Sequence, residues 1–284
     1  MLGVAVATTA ALAGCPLFGS GFSTNQRVDS LPVAADSNAI VRSIGLDDGF
    51  HADFGSGRWE GRPIGIPYTI VNRKTRRWRV RFDYASESDR VRYPIPRGVK
   101  IEGGGDRHAL LVDRSSCKLY ELYALRRAGS GWSAGSGATW SLRHPKMRPR
   151  GWTSADAAGL PILPLLARPG NRPIRHALRV TVSETRSAFT FPARHFASDD
   201  DNPSLPRMGE RLRLKASVDI SGLPRQARRI ARAMQTYGLI VADNGSDWYV
   251  SGVPSARWNN DQLHALDTIT GRDFEVVDAS GLNR

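Results

Sequence analysis

Trp78-Arg79-Val80-Arg81-Phe82-Asp83-Tyr84 carries an apolar or aromatic side chain at every second position and a charge between each. Side chains alternate across a strand with a period of two. The heptad therefore reads as a half-buried β-strand with one packed and one wet face. Its surroundings read the same way. Residues 64–71 are apolar and β-branched, 108–112 run apolar into Asp113, and 118–125 alternate again. Further strands are expected at 177–182, 188–191, 211–220, 239–242 and 274–277. Asp243-Asn244-Gly245-Ser246 divides 239–242 from the strand-like 247–251, and Asn-Gly favours the positive φ of a tight hairpin turn.

Helix signals are fewer. In 224–237, Ala227, Ile230, Met234 and Tyr237 share one face, Pro224 suits the first turn and Gly238 the left-handed stop. A shorter stripe, Leu263, Leu266 and Ile269, marks 260–270. Many short strands with Gly and Pro turns predict a mainly β fold. The expectation is a single large β-sandwich or barrel-like domain with one or two short helices near the C-terminus.

At the other end, a small apolar run leads into Leu12-Ala13-Gly14-Cys15, which resembles the lipobox of bacterial lipoproteins. Residues 1–15 are thus expected to be a lipoprotein-type signal with Cys15 lipidated. No Lys or Arg precedes Arg27, so a cleaved secretory signal is the alternative. Both readings put the protein outside the cytoplasm. The apolar run is shorter than the ~20 residues a spanning helix needs, so membrane attachment by a lipid anchor only is expected. Residues 16–37, rich in Ser, Gly, Pro and Asp, read as a linker, and 38–284 as one globular domain. With Cys15 lipidated, Cys117 stands alone as a buried thiol, and no disulfide is expected.

The formal net charge is +13, and only five of the 40 basic residues are lysine. An arginine-rich exported protein is drawn to anionic envelope polymers. No nucleic-acid-binding module is visible, so nucleic acid is not an expected partner.

Candidate chemistry is scattered. Gly103-Gly104-Gly105-Asp106-Arg107-His108 lets backbone approach a ligand closely, but no Gly-Lys-Ser/Thr follows, so it is not a phosphate loop. Asp106 and His108 lie two apart and share a face on extended backbone, as a general base and its orienting carboxylate require. The bland alternative has Asp106 closing a turn and His108 packing at a strand end. His176 and His195 are further acid/base candidates, and with His108 they would meet at one sheet end. Metal-ligand spacing is absent, so neither a metal nor a cofactor is expected. Asp156, within 151–164, is either a catalytic acid or part of a tight structural loop that Ser154 caps. Arg179, Arg194 and Lys215 are candidate substrate-binding cations. Trp140 and Trp152, in Gly- or Pro-rich surroundings, are candidates for stacking on sugar rings or else buried anchors.

The strings Gly105-Asp106-Arg107-His108, Cys117-Lys118-Leu119-Tyr120-Glu121, 151–164, His176-Ala177-Leu178-Arg179, 192–198, 213–217 and 237–246 resemble a family of exported, largely uncharacterised bacterial proteins. Some members carry carbohydrate-associated modules. The resemblance spans most of 38–280 and implies an extracytoplasmic domain associated with glycans. Joined to the residues above, it leads to an expected polysaccharide hydrolase or lyase working by His/carboxylate chemistry. The alternative is a non-catalytic glycan-binding or envelope-interaction protein.

Overall fold

The structure, a computed structural model, describes residues 11–282. Its principal elements in chain order are α1 (Ser37–Ile44), β1 (His51–Asp53), β2 (Tyr68–Val71), β3 (Trp78–Phe82), β4 (Arg92–Tyr93), β5 (Ala109–Asp113), β6 (Lys118–Leu122) and β7 (Arg126–Ala128). There follow β8 (Gly131–Ala134), β9 (Gly137–Ser141), β10 (Leu178–Val182), β11 (Arg211–Leu214), α2 (Arg225–Thr236), β12 (Leu239–Asn244), β13 (Tyr249–Ser251), α3 (Asn260–His264) and β14 (Phe274–Val276). Strand outweighs helix, 27% to 15%, so the fold is mainly β.

The strands form three main sheets rather than one large sandwich or a barrel. A six-stranded sheet runs β14-β11-β12-β10-β13-β1, and two four-stranded sheets run β9-β6-β5-β2 and β7-β8-β3-β4. Each mixes parallel with antiparallel pairs. β2 pairs parallel with β5, β8 with β3, β10 with β12, and β13 with β1. Parallel neighbours need long crossovers, which divide the strands among small sheets instead of letting one meander close. The four-stranded sheets share a core of Tyr93, Leu111, Leu122 and Trp132, and β3 turns Trp78, Val80 and Phe82 towards it as its alternation predicts. The larger core lies under the six-stranded sheet, where α2 buries Ala227, Ile230, Ala231 and Met234.

Several expectations change. Helix is not confined to the C-terminal part, because α1 buries Ile40, Val41 and Ile44 ahead of every strand of the main sheets. The stretch 188–191 makes only an isolated bridge between Phe189 and Met208. β12 and β13 are not a hairpin, because β10 lies between them, parallel to one and antiparallel to the other. With Leu178, Val180 and Val182 fully buried, β10 is a central strand that needs partners on both edges. The turn at 244–248 spans it, and Gly245 N–H donates to Val182 O at 2.9 Å.

The expected linker packs as well. Leu17, Phe18 and Val28 are buried, and Thr24 O accepts from Ala177 N–H at 2.7 Å. Cys15 and Cys117 form a disulfide across 102 positions with Cα atoms 5.3 Å apart. This overturns both the lone buried thiol and the lipidation of Cys15, since the bonded sulfur is no longer available for a thioether. The bond points to an oxidising, extracytoplasmic environment. Residues 1–10, most of the expected signal, lie outside the described residues. Among the described residues no helix is long and apolar enough to cross a membrane.

Candidate functional site

The loop 151–164 is the hub of the molecule. Ser154 Oγ accepts from Asp156 N–H at 2.9 Å and donates to Leu160 O at 2.6 Å, closing a tight turn. Successive residues of that turn are then held from different sides. Ala155 O accepts from His108 Nε2 at 3.0 Å, the Asp156 carboxylate binds Arg179, and Ala157 O accepts from His195 Nδ1 at 2.8 Å. Beneath the end of the loop, Glu121 is fully buried on β6. It accepts from Ile162 N–H at 3.0 Å, Leu163 N–H at 2.9 Å and Trp140 Nε1 at 3.0 Å. Burial pushes its carboxyl up to about 7 despite these donors.

Arg179, from β10, joins the loop to the six-stranded sheet. Its Nε and Nη2 each donate to Asp156 at 2.9 Å in a bidentate pair. Nη2 also donates to Asp243 at 2.8 Å, and Nη1 to Ser251 Oγ at 2.7 Å. Asp243 reaches this position through a β-bulge. The β10–β12 register slips after Val180, so that Asp243 rather than Ala242 pairs with Thr181, two positions from Arg179. Burial favours loss of the Arg179 proton, but the Asp156 and Asp243 carboxylates outweigh it and hold the guanidinium charged. Burial raises the Asp243 carboxyl to about 7, with Arg179 opposing.

Beside this network, Glu102 Oε2 lies 2.5 Å from His108 Nδ1 and 3.3 Å from His108 N. Both imidazole nitrogens therefore face acceptors, Glu102 and Ala155 O, which only the doubly protonated ring satisfies. Burial opposes the charge, yet Glu102 raises His108 to about 9. In return His108 overcomes the burial of Glu102 and holds that carboxyl below its usual range.

Glu102 opens onto a cleft of about 820 Å³ with Asp53, His51, Tyr249, Trp59 and Arg62 on its walls. Asp53 ends β1, and the surrounding protein raises its carboxyl by displacing water. The His51 and Tyr249 rings lie 4.3 Å apart, and Trp59 is 73% exposed. Gly103 has to be glycine, since a Cβ there would sit 2.9 Å from Arg62 Cβ.

The expected site residues do not converge. Asp106 is exposed on its turn, and the carboxylate partner of His108 is Glu102. His176 is buried elsewhere. Its Nε2 accepts from Arg168 at 2.8 Å and its Nδ1 donates to Ala177 O, and burial holds its pKa well below the ordinary value. His195 is half-buried with Nε2 3.7 Å from Glu87 and Nδ1 on Ala157 O, a different carbonyl of the loop from the one that His108 holds. Arg194 Nε donates to Arg148 O at 2.9 Å, and Lys215 Nζ to Arg272 O at 2.6 Å, so both engage backbone away from the cleft. Trp140 is a buried anchor on Glu121. Trp152 is half-buried under Arg148, whose guanidinium lies 5.4 Å from the ring centroid. The cleft residues Asp53, Glu102, Tyr249 and Trp59 were not singled out by pattern. Glu102 stands directly before the three glycines, the one local signal that marks it.

Comparison of the chain with known protein families, curated proteins and solved structures finds no match.

Proposed function

We propose that this protein hydrolyses glycosidic bonds in an extracytoplasmic polysaccharide, with Asp53 and Glu102 as its working carboxylates. The observation that carries this reading is that both carboxylates line one cleft, Glu102 held by the buried His108 and Asp53 without an ion pair among the described residues. Glycoside hydrolysis needs two carboxyl groups beside the scissile bond, one to donate a proton and one to act as base or nucleophile. The surroundings push these two in opposite directions, Asp53 upward and Glu102 downward. Asp53 gives its proton to the leaving glycosidic oxygen as the bond to the anomeric carbon breaks. Glu102 either takes a proton from the water that attacks that carbon, or bonds to the carbon itself to give a glycosyl ester, which water then cleaves as the Asp53 carboxylate takes up its proton. Both contacts of Glu102 with His108 use Oε2, leaving Oε1 without a protein donor among the described residues. His108 is a positioning residue in this scheme. Its ring has no free lone pair with which to abstract a proton, which favours hydrolysis over a lyase route through that histidine. Trp59 and Tyr249 offer faces on which sugar rings stack.

Incubation with a polysaccharide panel tests the reading. New reducing ends are expected from the parent protein and are lost in Asp53→Asn and Glu102→Gln. Absence of products from every polymer rejects hydrolysis. The exposure of Trp59 favours one second reading, a non-catalytic glycan-binding protein, whose signature is retention on a polymer without product.

A further inference from the structure

A second and larger hollow, about 1570 Å³, adjoins the cleft and shares Arg62 and Pro63 with it. Its walls carry Arg58, Arg62, Lys100, Arg172, Arg175 and Arg257, and no carboxylate lines it. All six are exposed, and none forms an ion pair among the described residues. Two further guanidiniums line the same groove. Arg168 Nη1 is spent on Leu163 O and Leu166 O, and Arg229 Nε on Arg172 O. Arg229 Nη1 is buried without any hydrogen-bond partner. Burial brings both guanidiniums down to about 10, Arg229 adding to the effect on Arg168, and Arg257 and Arg225 to that on Arg229. Eight like charges along one concavity repel one another, and among the described residues no carboxylate pairs with any of them.

We infer that this groove binds a polyanionic glycan, a chain of carboxylate-bearing sugars, and feeds it past Arg62 into the cleft. This rests on the hydrolase reading and names its substrate class. Planar guanidinium forks match carboxylates two bonds at a time, and an open row of them suits a repeating charge. A single-stranded nucleic acid is the less fitting polyanion. It is gripped by stacking its bases on aromatic side chains, and Tyr68 alone supplies a ring of that kind here. The oxidising environment indicated by the disulfide also favours a glycan.

Binding by full-length Glu102→Gln protein, in which turnover is blocked, tests the groove separately from the chemistry. The probes are polygalacturonate, neutral dextran and single-stranded poly-dT, each at low and high salt. Polygalacturonate is expected to bind, to weaken as salt rises and to raise the melting temperature, while dextran is not retained by the groove. Arg172→Ala/Arg175→Ala/Arg257→Ala is expected to bind polygalacturonate about tenfold or more weakly, through the loss of three charge-assisted contacts. These side chains are exposed, so an unchanged melting temperature without ligand verifies that the variant folds. Equal binding of dextran, undiminished binding by the triple variant, or tighter binding of poly-dT overturns the inference. Polygalacturonate bound in the groove but never cleaved by the parent protein upholds the groove and rejects the hydrolase. Cleavage of neutral polymers, with the triple variant unimpaired, does the reverse.

Discussion

Glu102 and His108 form an ion pair 2.5 Å long in which the imidazole is wholly buried and the carboxylate borders the cleft. The second ring nitrogen donates to Ala155 O, so the pair ties the cleft wall to the loop 151–164. His108 thereby fixes the charge and orientation of Glu102 without itself exchanging protons.

The pair makes stability depend on pH. The folded pKa of His108, about 9, lies above its ordinary 6.5. Its contribution is complete below about pH 6.5 and is lost as pH rises through 9. Glu102, lowered on folding, contributes above its ordinary 4.5 and loses that contribution as pH falls through its depressed value. Urea denaturation of the parent should show falling stability from pH 6.5 to 9. His108→Gln should flatten that slope and cost about 3–5 kcal/mol near neutrality, as expected for one partner of a buried pair.

Glu121 adds a slope of the same sign at lower pH. Its carboxyl is raised from 4.5 to about 7, so the unfolded chain ionises first, and stability declines between about pH 4.5 and 7. In Glu121→Gln this part of the decline should disappear, as read by melting temperature across that range. An unchanged slope would mean that Glu121 is not the group responsible.

Arg179 and Asp156 stand or fall together. Arg179→Met strands a fully buried carboxylate and should destabilise by about 3–5 kcal/mol. Asp243→Asn should cost less, because the Asp243 side chain is 23% exposed and Asp156 still holds the guanidinium. Chemical denaturation of both variants establishes the order.

Cys15–Cys117 closes a loop of about 100 residues, for which chain entropy indicates about 4–5 kcal/mol. Cys15→Ser/Cys117→Ser should melt lower by that order of free energy. Intact-mass analysis of the exported protein should show Cys15 without lipid and a gain of two hydrogens on reduction.

Trp59 is the large apolar side chain most open to water at the cleft. Trp59→Ala should leave stability within about 0.5 kcal/mol while weakening polysaccharide retention in affinity electrophoresis. Unaltered retention would remove Trp59 from the binding surface.

Much of the secondary structure can be read locally. The alternation of β3, the apolar run of β5 and the stripe of α2 each report a face that must be buried, and period alone reveals such a face. The loop 151–164 also stands out by composition, though its role emerged as a hub gripped by His108, Arg179 and His195. The site was far less legible. Asp106 is two residues from His108 and Glu102 six, yet Glu102 is the one that makes the bond, because the Gly103–Gly105 turn folds it back.

Asp53, Glu102 and Arg62 come from separate segments whose approach depends on sheet order. β10 inserts between β12 and β13, and a bulge turns Asp243 towards Arg179. Local pattern therefore specified which residues form strands and helices, that the chain is mainly β, and that it carries a large surplus of arginine. Tertiary structure alone assigned partners to the charges, bonded Cys15 to Cys117 and gathered the unpaired cations into one groove. The division is physical. Periodicity records what a residue needs from its immediate neighbours, whereas burial and ion pairing depend on which distant segment packs against it.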